Sequence, residues 1–475
     1  MKQNADTVIR LTEYFDSIAD QWDRWQGRNR YYHDNVKRLL QFLIPQHTSV
    51  LELGCATGDL LHATQPSVGV GVDISEKMVH FAQKKYPQFT FHTMNAEQLS
   101  LEQKFDYVVM SDLVGHLYDI QQALEKTHTV MTPRSRLIIT YYNFIWEPIL
   151  LLVEKLGLKT PQPHQNWVNT HDLQNLLDLA NFEIVRSGYR LLFPKKIPLL
   201  SWFLNKYISQ LPLVRKFCIV RFIVARPRME LPHPERFSVS IVIPARNERG
   251  NIEQAVQRIP EMGSKTEIIF VEGCSNDGTL EEIKRVIDLY GEKRTITYYR
   301  QSGIGKANAV REGFARANGD ILMILDADLT VIPEDLPKFY HALMANHGEF
   351  VNGSRLVYPM EKQAMRFLNL LGNKFFSMMF TYLLDQKFKD TLCGTKVLFK
   401  SDYEKLSANR SYFGEFDPFG DFDLLFGAAK QNLKIVEMPI RYAERTYGAT
   451  NIQRWRHGLL LLKMVGVAAR RLKFV

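Results

Sequence analysis

Short apolar runs alternate with helix-patterned stretches along most of the chain. Four such runs lie at residues 50–53, 68–72, 105–110 and 136–140, and a second series lies at residues 238–244, 267–271, 295–299 and 320–325. Strands that are apolar throughout and alternate with helices are typical of parallel sheets with helices on both faces. The pattern therefore predicts an α/β protein with two doubly wound, Rossmann-like domains.

Breaks in this alternation set the expected domain limits. Residues 8–43 have helical apolar spacing and precede the first predicted strand, as helices that cover a site do. Prolines punctuate the chain between Pro194 and Pro234 and mark a connector between the two series. A chain of 475 residues is long enough for two separate cores. We expect a first domain at residues 1–190, a linker at 191–236, a second domain at 237–445 and a C-terminal segment at 446–475.

Positive charge is concentrated in two stretches. Residues 186–228 contain ten Lys or Arg and no Asp or Glu, and residues 452–475 contain six more, again without an acid. Without these sixteen residues the chain has 60 − 16 = 44 basic against 51 acidic residues, a net charge of −7 instead of +9. Both stretches are also rich in aromatic and aliphatic residues, so they are basic and amphipathic. The face of an anionic bilayer selects this composition.

Two alternatives to the membrane remain open for these stretches. One is an ordinary packing helix between domains, and the other is a nucleic-acid surface. Neither stretch contains a recognised nucleic-acid-binding motif, so we expect no nucleic-acid partner.

Three features bear on the compartment. The N-terminus lacks the apolar core of a secretory signal, and no uncharged apolar run reaches the roughly 18 residues that a bilayer span needs. The four cysteines show no paired spacing, which favours a reducing compartment. We therefore expect a cytoplasmic protein that is peripherally associated with the inner face of the membrane.

A glycine-rich turn follows the first predicted strand. The segment Glu52-Leu53-Gly54-Cys55-Ala56-Thr57-Gly58 runs into a helix that starts near Asp59, which brings backbone N–H groups close to a ligand. Fifteen residues past Gly58, Asp73 ends the second strand, where a carboxylate accepts hydrogen bonds from ribose hydroxyls. Taken alone, such a turn is weak evidence.

In company, the turn is more informative. With Gly71-Val72-Asp73-Ile74-Ser75, Asn95-Ala96-Glu97 and the strand Phe105-Asp106-Tyr107-Val108-Val109, it resembles the class I S-adenosylmethionine-dependent methyltransferases across about residues 10–190. The resemblance implies the class I methyltransferase fold and S-adenosylmethionine (SAM) as cofactor. It implies a set of cofactor-binding residues: Glu52 at the start of the turn, Gly54, Ala56 and Gly58 along the methionine part, Asp73 at the ribose, and Asn95 and Ala96 beside the adenine.

Two positions depart from that family's pattern. Ala56 replaces the usual middle glycine, and Asn95 stands where an aspartate is commoner. Alanine is small and an asparagine carbonyl still accepts a hydrogen bond, so both fit a SAM site. An NAD site and a domain that no longer binds cofactor are the alternatives. The methyl acceptor is not legible, because methyl transfer needs mainly alignment; His116 is either a general base or a packing residue.

Two carboxylates, Asp326 and Asp328, end the apolar run at residues 320–325. In an extended chain residues i and i+2 point the same way, so both carboxylates can face one hard cation, Mg²⁺ or Mn²⁺. Such a cation would hold a diphosphate. A lone Asp-Ala-Asp is more often a surface turn, so the interpretation depends on the motifs around it.

Three motifs accompany the carboxylate pair, at residues 243–248, 271–279 and 303–310. Together they resemble the family 2 glycosyltransferases over about residues 238–450, which implies the GT-A fold, a nucleotide sugar donor and a metal held by Asp326 and Asp328. Lys306 and Arg355 can add positive charge to the phosphates. The implied substrate-binding residues of the first two motifs are Pro244, Ala245, Asn247, Glu248, Glu272 and Asp277. Glu272 departs from the Asp-Asp pair that is common near the base.

Residues 390–396 and 421–425 look like the pieces that mark the dolichyl or polyprenyl phosphate sugar synthases of that family. The resemblance implies a lipid monophosphate acceptor, with Asp390 and Asp423 at the substrate site. Arg355, Lys396 and Arg445 would position the acceptor phosphate, which is already ionised and needs no strong general base. Residues 367–384 are typical of an amphipathic helix at the acceptor mouth, with a core helix as the alternative.

These features predict a bifunctional transferase of cell-envelope glycan synthesis. One half would transfer a sugar to a polyprenyl-phosphate-like lipid, with Asp326, Asp328, Arg355 and Lys396 in catalytic roles, and the other half would methylate an unknown acceptor. The alternative is a glycosyltransferase that acts on a glycan or protein, with a non-catalytic methyltransferase-like docking domain.

Overall fold

The computed structural model describes residues 2–157, 165–358, 367–413, 420–445, 447 and 454–474. The chain divides into two compact units, Met1–Met229 and Glu230–Lys473. Each unit contains a seven-stranded sheet with helices around it. The expected α/β class with two Rossmann-like units is confirmed, with the difference that both sheets are mixed and not purely parallel.

The first unit is built on five parallel strands and an antiparallel pair. Its strands are β1 (Ser49–Leu53), β2 (Val68–Asp73), β3 (Thr90–Thr93), β4 (Tyr107–Ser111), β5 (Arg136–Tyr142), β6 (Phe182–Arg190) and β7 (Val220–Pro227). They lie in the order β3-β2-β1-β4-β5-β7-β6, with β7 antiparallel to both of its neighbours. The strand order reverses between β1 and β4, where an open α/β sheet leaves a crevice for ligands.

The helices of the first unit include three that precede the sheet, in the region where the sequence predicts covering helices. They are α1 (Lys2–Ile18), α2 (Trp22–Arg28), α3 (Arg30–Leu43), α4 (Asp59–Ala63), α5 (Glu76–Lys85), α6 (Ile120–His128), α7 (Glu147–Lys155), α8 (Thr170–Leu179) and α9 (Leu200–Lys206). Its central strands are buried on both faces, since Leu51 and Val108 on one face and Val50 and Val109 on the other leave almost no surface to solvent.

The second unit repeats the alternation with its own strands. They are β8 (Val239–Ala245), β9 (Thr266–Glu272), β10 (Thr295–Arg300), β11 (Ile321–Ile324), β12 (Phe350–Ser354), β13 (Lys396–Phe399) and β14 (Ile435–Pro439). The order is β10-β9-β8-β11-β13-β12-β14, and β13 is antiparallel to β11 and β12. The carboxyl ends of β8, β9 and β11 therefore share one edge.

The helices of the second unit are α10 (Ile252–Arg258), α11 (Thr279–Tyr290), α12 (Lys306–Arg316), α13 (Leu336–Met344), α14 (Phe367–Leu384), α15 (Lys400–Ala408), α16 (Asp421–Lys430) and α17 (Arg454–Ala468). Shorter 3₁₀ helices lie at Ala19–Gln21, Ala96–Gln98, Phe144–Trp146, Ile208–Gln210, Val214–Phe217, Pro234–Arg236, Arg249–Asn251, Pro333–Asp335 and Arg410–Tyr412, and a π-helix lies at Ala469–Lys473.

The region expected to be a linker contributes to the first sheet. β7 lies between β5 and β6, so residues 220–227 are a structural strand of the first unit. Two basic residues of the stretch 186–228 face the interior: Arg186 is buried, and Arg226 is buried and pairs with Glu183 at 2.8 Å. Exposed basic side chains of this region lie on both sides of β7, with Lys195 and Lys196 before it and Arg228 after it.

The two helices expected to be amphipathic are partly buried. In α14, Phe380 and Leu383 are buried while Met378 is exposed, and the side chains of residues 367–371 lie outside the described part. α17 packs against α14 through one face, with Met464 buried. Residues 446, 448–453 and 475 of the predicted C-terminal segment also lie outside the described residues. Among the helices that the structure describes, none has the length and hydropathy needed to cross a bilayer.

Candidate active sites

The first unit contains a cavity of about 400 Å³ at the carboxyl ends of β1, β2 and β4. It lies where the strand order reverses, as expected for a cofactor crevice. The structure brings together six of the seven residues that the sequence assigns to the cofactor, since its wall includes Glu52, Gly54, Ala56, Asp73, Asn95 and Ala96. The seventh, Gly58, is not part of that wall.

The glycine turn has the backbone conformation that its sequence suggests. Gly54, Ala56 and Gly58 all have positive φ angles, 72°, 44° and 79°. A Cβ on Gly58 would also lie 2.9 Å from the Phe91 ring, so glycine is needed there for shape as well as conformation. The role of Gly58 is therefore to form the turn, while Gly54 and Ala56 border the cavity.

Asp73 fastens this turn to the end of β2. Its Oδ2 accepts a hydrogen bond from the Ala56 N–H at 2.8 Å, and its Oδ1 accepts from the Ser75 N–H at 2.9 Å. Burial raises the pKa of Asp73, although these N–H donors favour its charged form. The carboxylate borders the cavity with backbone partners already fixing its orientation.

The remaining cofactor residues hold the surrounding loops. Glu52 is buried, its Oε2 accepts from the Leu61 N–H at 2.9 Å, and burial raises its pKa well above the ordinary value. Asn95 accepts from the Glu97 N–H at 2.9 Å, and Glu97 in turn accepts from the Tyr118 N–H at 2.7 Å. These contacts pin the helix that follows β1 and the loop that carries Ala96.

A polar cluster that the sequence does not reveal borders the same cavity. The Tyr32 hydroxyl donates to Asp112 Oδ2 at 2.7 Å, and the Tyr142 ring stacks on Tyr32 at 5.7 Å between centroids. Burial, reinforced by the Asp112 carboxylate, raises the pKa of Tyr32 well above its ordinary value. The only sequence signal was that Asp112 follows a strand. His116, the candidate base, also borders the cavity and contacts the Phe15 ring edge-on at 5.5 Å.

In the second unit, the paired carboxylates stand on a turn. β11 ends at Ile324, so Asp326 and Asp328 are beyond the extended chain from which a shared direction was inferred. Asp326 Oδ1 lies 2.6 Å from Lys306 Nζ, and Asp328 Oδ2 lies 2.7 Å from an Arg445 guanidinium nitrogen. Each carboxylate therefore has its own cationic partner.

The second carboxylate joins a larger charge network. Arg445 bridges Asp328 and Glu248, with its other terminal nitrogen 2.9 Å from Glu248 Oε1. Burial raises the pKa of Glu248, against the lowering influence of Arg445. For Asp326, burial also opposes ionisation, but Lys306 lowers its pKa below the ordinary value. Lys306, Arg445, Asp326, Asp328 and Glu248 thus alternate in charge at the carboxyl edge of β8 and β11.

The two carboxylates fit a divalent cation that is held mainly by its substrate. Among the described residues, no group of three or more His, Cys, Asp or Glu could hold a metal. Mg²⁺, however, is commonly bound by one or two carboxylates together with substrate phosphates. Gly394 keeps the space beside this carboxylate and lysine open: a Cβ at that position would lie only 2.0 Å from Asp326 Oδ2 and 2.4 Å from Lys306 Nζ.

The loops after β8 and β9 tie together the residues predicted to bind the nucleotide. Asn247, at a φ of 58°, accepts from the Asn276 N–H at 3.0 Å. Glu272 is buried and accepts from the Ser275 N–H, while Asp277 accepts from the Thr279 N–H at 3.0 Å. Pro244 and Ala245 end β8 beside them. The predicted residues are gathered at one edge, with their carboxylates already engaged by the backbone.

Arg355, which the sequence assigns to phosphate contacts, has a carboxylate partner of its own in the structure. It forms a two-point pair with Asp390, at 2.7 Å from Nε to Oδ2 and 2.9 Å between the second nitrogen and Oδ1. Asp390 is fully buried and also accepts from the Asn373 side chain. Burial opposes the ionisation of Asp390, but Arg355 holds its pKa down at about 2. In the structure both residues brace the ends of β12 and the loop before β13.

Two other predicted residues are also engaged internally. Lys396 is fully buried, donates to the Cys393 carbonyl at 2.5 Å and pairs with Asp421 at 3.0 Å. Asp423 pairs with Arg311 at 2.9 Å and with Arg410 at 3.2 Å. These pairs link α16 to β13 and α12. Lys396 and Asp423 therefore have structural partners that could not be predicted from a sequence motif.

Each of the two units matches a known protein family. The family model described as glycosyl transferase family 2 matches residues 240–406, and the one described as a methyltransferase domain matches residues 24–187. A dolichol-phosphate mannosyltransferase from Pyrococcus furiosus is 30% identical over 247 residues, 50% of this chain and 67% of that relative. One from Saccharomyces cerevisiae is 37% identical over 109 residues, 22% of this chain and 40% of that relative.

Among solved structures, a SAM-dependent methyltransferase from Thermotoga maritima, described as a possible histamine N-methyltransferase, is similar to this chain. It is 16% identical and has a TM-score of 0.37, and the match covers 46% of this chain and 99% of that protein.

Proposed function

Because the chain belongs to glycosyl transferase family 2 and also carries a methyltransferase domain, as its motifs predicted, we propose a specific pair of reactions. The second unit transfers a sugar from a nucleotide donor to a polyprenyl-phosphate-like lipid, using Mg²⁺ or Mn²⁺. The first unit transfers a methyl group from SAM. The setting is cell-envelope glycan synthesis, with the protein peripherally associated with the cytoplasmic face of a membrane.

The observation that carries the first reaction is the alternating charge network at the edge of β8 and β11. Asp326 and Asp328 supply the hard oxygen ligands, and a bound cation would neutralise the leaving diphosphate. Lys306 and Arg445 are the cations next to them, at 2.6 and 2.7 Å. When the carboxylates turn to a cation, these two side chains add fixed positive charge to the phosphates.

Two of the cations predicted to bind the acceptor phosphate are already paired with buried carboxylates. Asp390 already binds Arg355 at two points, and Lys396 is fully buried against Asp421. We assign phosphate contacts to Lys306 and Arg445 and a bracing role to Arg355 and Lys396. The names of the two relatives, dolichol-phosphate mannosyltransferase, support a lipid monophosphate acceptor.

The methyl-transfer reaction is supported by the cavity of the first unit. Its volume of about 400 Å³ and its wall of turn backbone, Asp73 and Asn95 fit a nucleoside with an amino-acid tail. SAM would supply the methyl group as a sulfonium. Gly54 and Ala56 allow the backbone to approach it, Asp73 orients the ribose, and Asn95 with Ala96 borders the adenine.

The decisive experiment measures transfer of labelled sugar to polyprenyl phosphate from a panel of nucleotide sugars, with Mg²⁺ or Mn²⁺. Asp326→Asn should lower the rate by at least about 100-fold, since the metal's charge stabilisation is lost. The control, Asp288→Asn, removes an exposed carboxylate on α11 and should match wild type. Donor hydrolysis without extractable product would favour a glycan or protein acceptor. Equal rates in both variants would refute the metal assignment.

A further inference from the structure

The cavity of the first unit has two chemically different sides. One side is the cofactor turn with its carboxylates. Much of the remaining wall is apolar, with residues from α1 and α2 and from the region of α7 and the segment after β6. The latter region contributes Trp146, Ile149, Leu150, Val153 and Pro194, together with the basic Lys195. The methyl acceptor must reach the cofactor from the part of the cavity that the cofactor does not fill.

The elements on the apolar side also carry exposed apolar side chains. Leu152 on α7 is 56% exposed, and Leu156, directly after the helix, is 64% exposed. In the segment 191–219, Leu199 and Leu213 are 82% and 78% exposed, and Trp202, Phe203 and Phe217 each expose about half of their surface. Soluble proteins rarely leave so many large apolar side chains exposed on neighbouring elements without a partner.

Hydrogen bonds join these two elements into one structure. The Trp146 indole N–H donates to the Phe217 carbonyl at 2.8 Å, and the Asn143 side chain donates to the Lys216 carbonyl at 2.7 Å. Trp202 and Tyr207 pack edge to face at 5.4 Å. The exposed apolar side chains therefore lie on elements that also contribute to the cavity wall. We call them the apolar collar: Leu152, Leu156, Leu199, Trp202, Phe203, Leu213 and Phe217.

The charge around the apolar collar identifies its partner. Lys195, Lys196 and Lys216 are exposed, and residues 186–228 contain no acid. The acids of α7, Glu147 and Glu154, are only partly exposed. Exposed aromatic and aliphatic side chains among lysines are complementary to an anionic lipid surface, which supplies both an apolar layer and negative head groups.

We propose that the methyl acceptor of the first unit is a membrane-borne amphiphile. The apolar collar rests on the anionic lipid surface, the acceptor's head group enters between α7 and residues 194–196, and its lipid part stays in the membrane. This inference rests on the proposed methyltransferase function. Tyr32 and Asp112 stand in the cavity wall as the polar contacts for the head group.

The reaction at the head group is a direct displacement. A bond forms between an oxygen or nitrogen of the head group and the methyl carbon, and the carbon–sulfur bond of SAM breaks. SAM leaves as neutral S-adenosylhomocysteine, and the proton lost by the head group passes to the Asp112 carboxylate. No other reactant is required.

Vesicle binding by the full-length protein provides the first measurement. Vesicles of phosphatidylcholine with 30% phosphatidylglycerol, about the charge density of an anionic bilayer, are compared with pure phosphatidylcholine. Wild type should float with the anionic vesicles, and Leu199→Asp combined with Leu213→Asp should reduce the partition coefficient at least about tenfold. The matched control is Leu179→Asp, which changes a leucine that is 67% exposed at the end of α8. Equal floating of the collar variant and the control would overturn the membrane contact.

Label transfer provides the second measurement. Methyl-labelled SAM is supplied with vesicles of total membrane lipid, and label is counted in the organic extract. We expect organic-extractable label with wild type and at least a tenfold loss in the collar variant. Label that remains only in water-soluble or protein products would overturn the proposal.

Calorimetric titration with SAM separates this inference from the proposed function. Saturable SAM binding without label in lipid would refute the membrane-borne acceptor and leave cofactor binding by the first unit in place. Absence of SAM binding in wild type would refute the methyltransferase function itself, and the acceptor inference with it.

Discussion

Replacing Asp390 with asparagine should destabilise the second unit by about 3 kcal/mol. The carboxylate is fully buried and binds Arg355 at two points. Its pKa falls from the ordinary 3.8 to about 2, and at about 1.4 kcal/mol per pKa unit the charge alone contributes roughly 2 kcal/mol. The variant also leaves the buried Arg355 without its counter-charge, and such losses cost about 3–5 kcal/mol. We use the lower end of that range because Arg355 keeps 12% of its side chain exposed.

The measurement is thermal unfolding of the full chain, followed by calorimetry. SAM should raise the midpoint of the transition of the first unit by mass action, which identifies the transition of the second unit. For a unit of this length about 3 kcal/mol corresponds to roughly 6–12 °C. Asp288→Asn, the exposed control on α11, should shift the midpoint by less than about 2 °C.

The dependence of unfolding stability on pH gives an independent check that the Asp390 carboxylate is stabilising. A carboxylate whose folded pKa is depressed stabilises the protein above its unfolded pKa, and this stability is lost as the pH falls through the folded value. The contribution of Asp390 should therefore be complete above pH 3.8 and disappear as the pH approaches about 2. A midpoint shift no larger than that of the control, or an unchanged acid profile, would refute the reasoning.

Three further expectations follow from other contacts. Gly394→Ala should lower sugar transfer at least about tenfold, because its Cβ would lie 2.0 Å from Asp326 Oδ2. The control Gly27→Ala, on α2 of the first unit with nothing within 4 Å of the added Cβ, should keep the rate. Lys396→Met and Asp421→Leu should each lower the free energy of unfolding, measured by chemical denaturation, by about 3–5 kcal/mol, because each change leaves a buried charge without its partner. The double variant should lose less than the sum of the two single losses, and additive losses would contradict the ion pair. His33→Gln should make the first unit less sensitive to acid, because burial, with Lys37, lowers the pKa of His33 from 6.5 to about 4. Up to about 3 kcal/mol of wild-type stability should therefore be lost as the pH falls between these values. An identical dependence of stability on pH in the variant would exclude His33 as the cause.

The sequence predicted the fold class because it depends on local patterns, and the same patterns placed the candidate site residues just after strands. The apolar runs correspond to strands; Asp73 is the last residue of β2, and Asp326 follows the end of β11 by two residues, at the edge where parallel sheets place their ligand residues. The ionic partners were not predictable. Arg355 finds Asp390 35 positions away, and Tyr32 finds Asp112 80 positions away, and no spacing rule encodes such contacts.

Local geometry produced the other differences. The shared direction of Asp326 and Asp328 assumed that the strand continues, but β11 ends two residues earlier and the chain turns. The expected linker was inferred from prolines and charge, yet residues 220–227 within it form a strand. The short apolar run Phe222-Ile223-Val224 is consistent with a buried strand, but periodicity alone cannot distinguish such a run from a buried helical segment.

The position of β7 determines when the first unit can complete its sheet. β6 is attached to the sheet only through β7, among the strand pairs that the structure describes. During synthesis, β6 therefore has no neighbouring strand until residues 220–227 have been made. Until then the edge of β5 is unpaired. A gene fragment that stops at residue 190 would make that open edge permanent, so a fragment of the first unit needs to extend beyond Pro227 to keep the sheet complete.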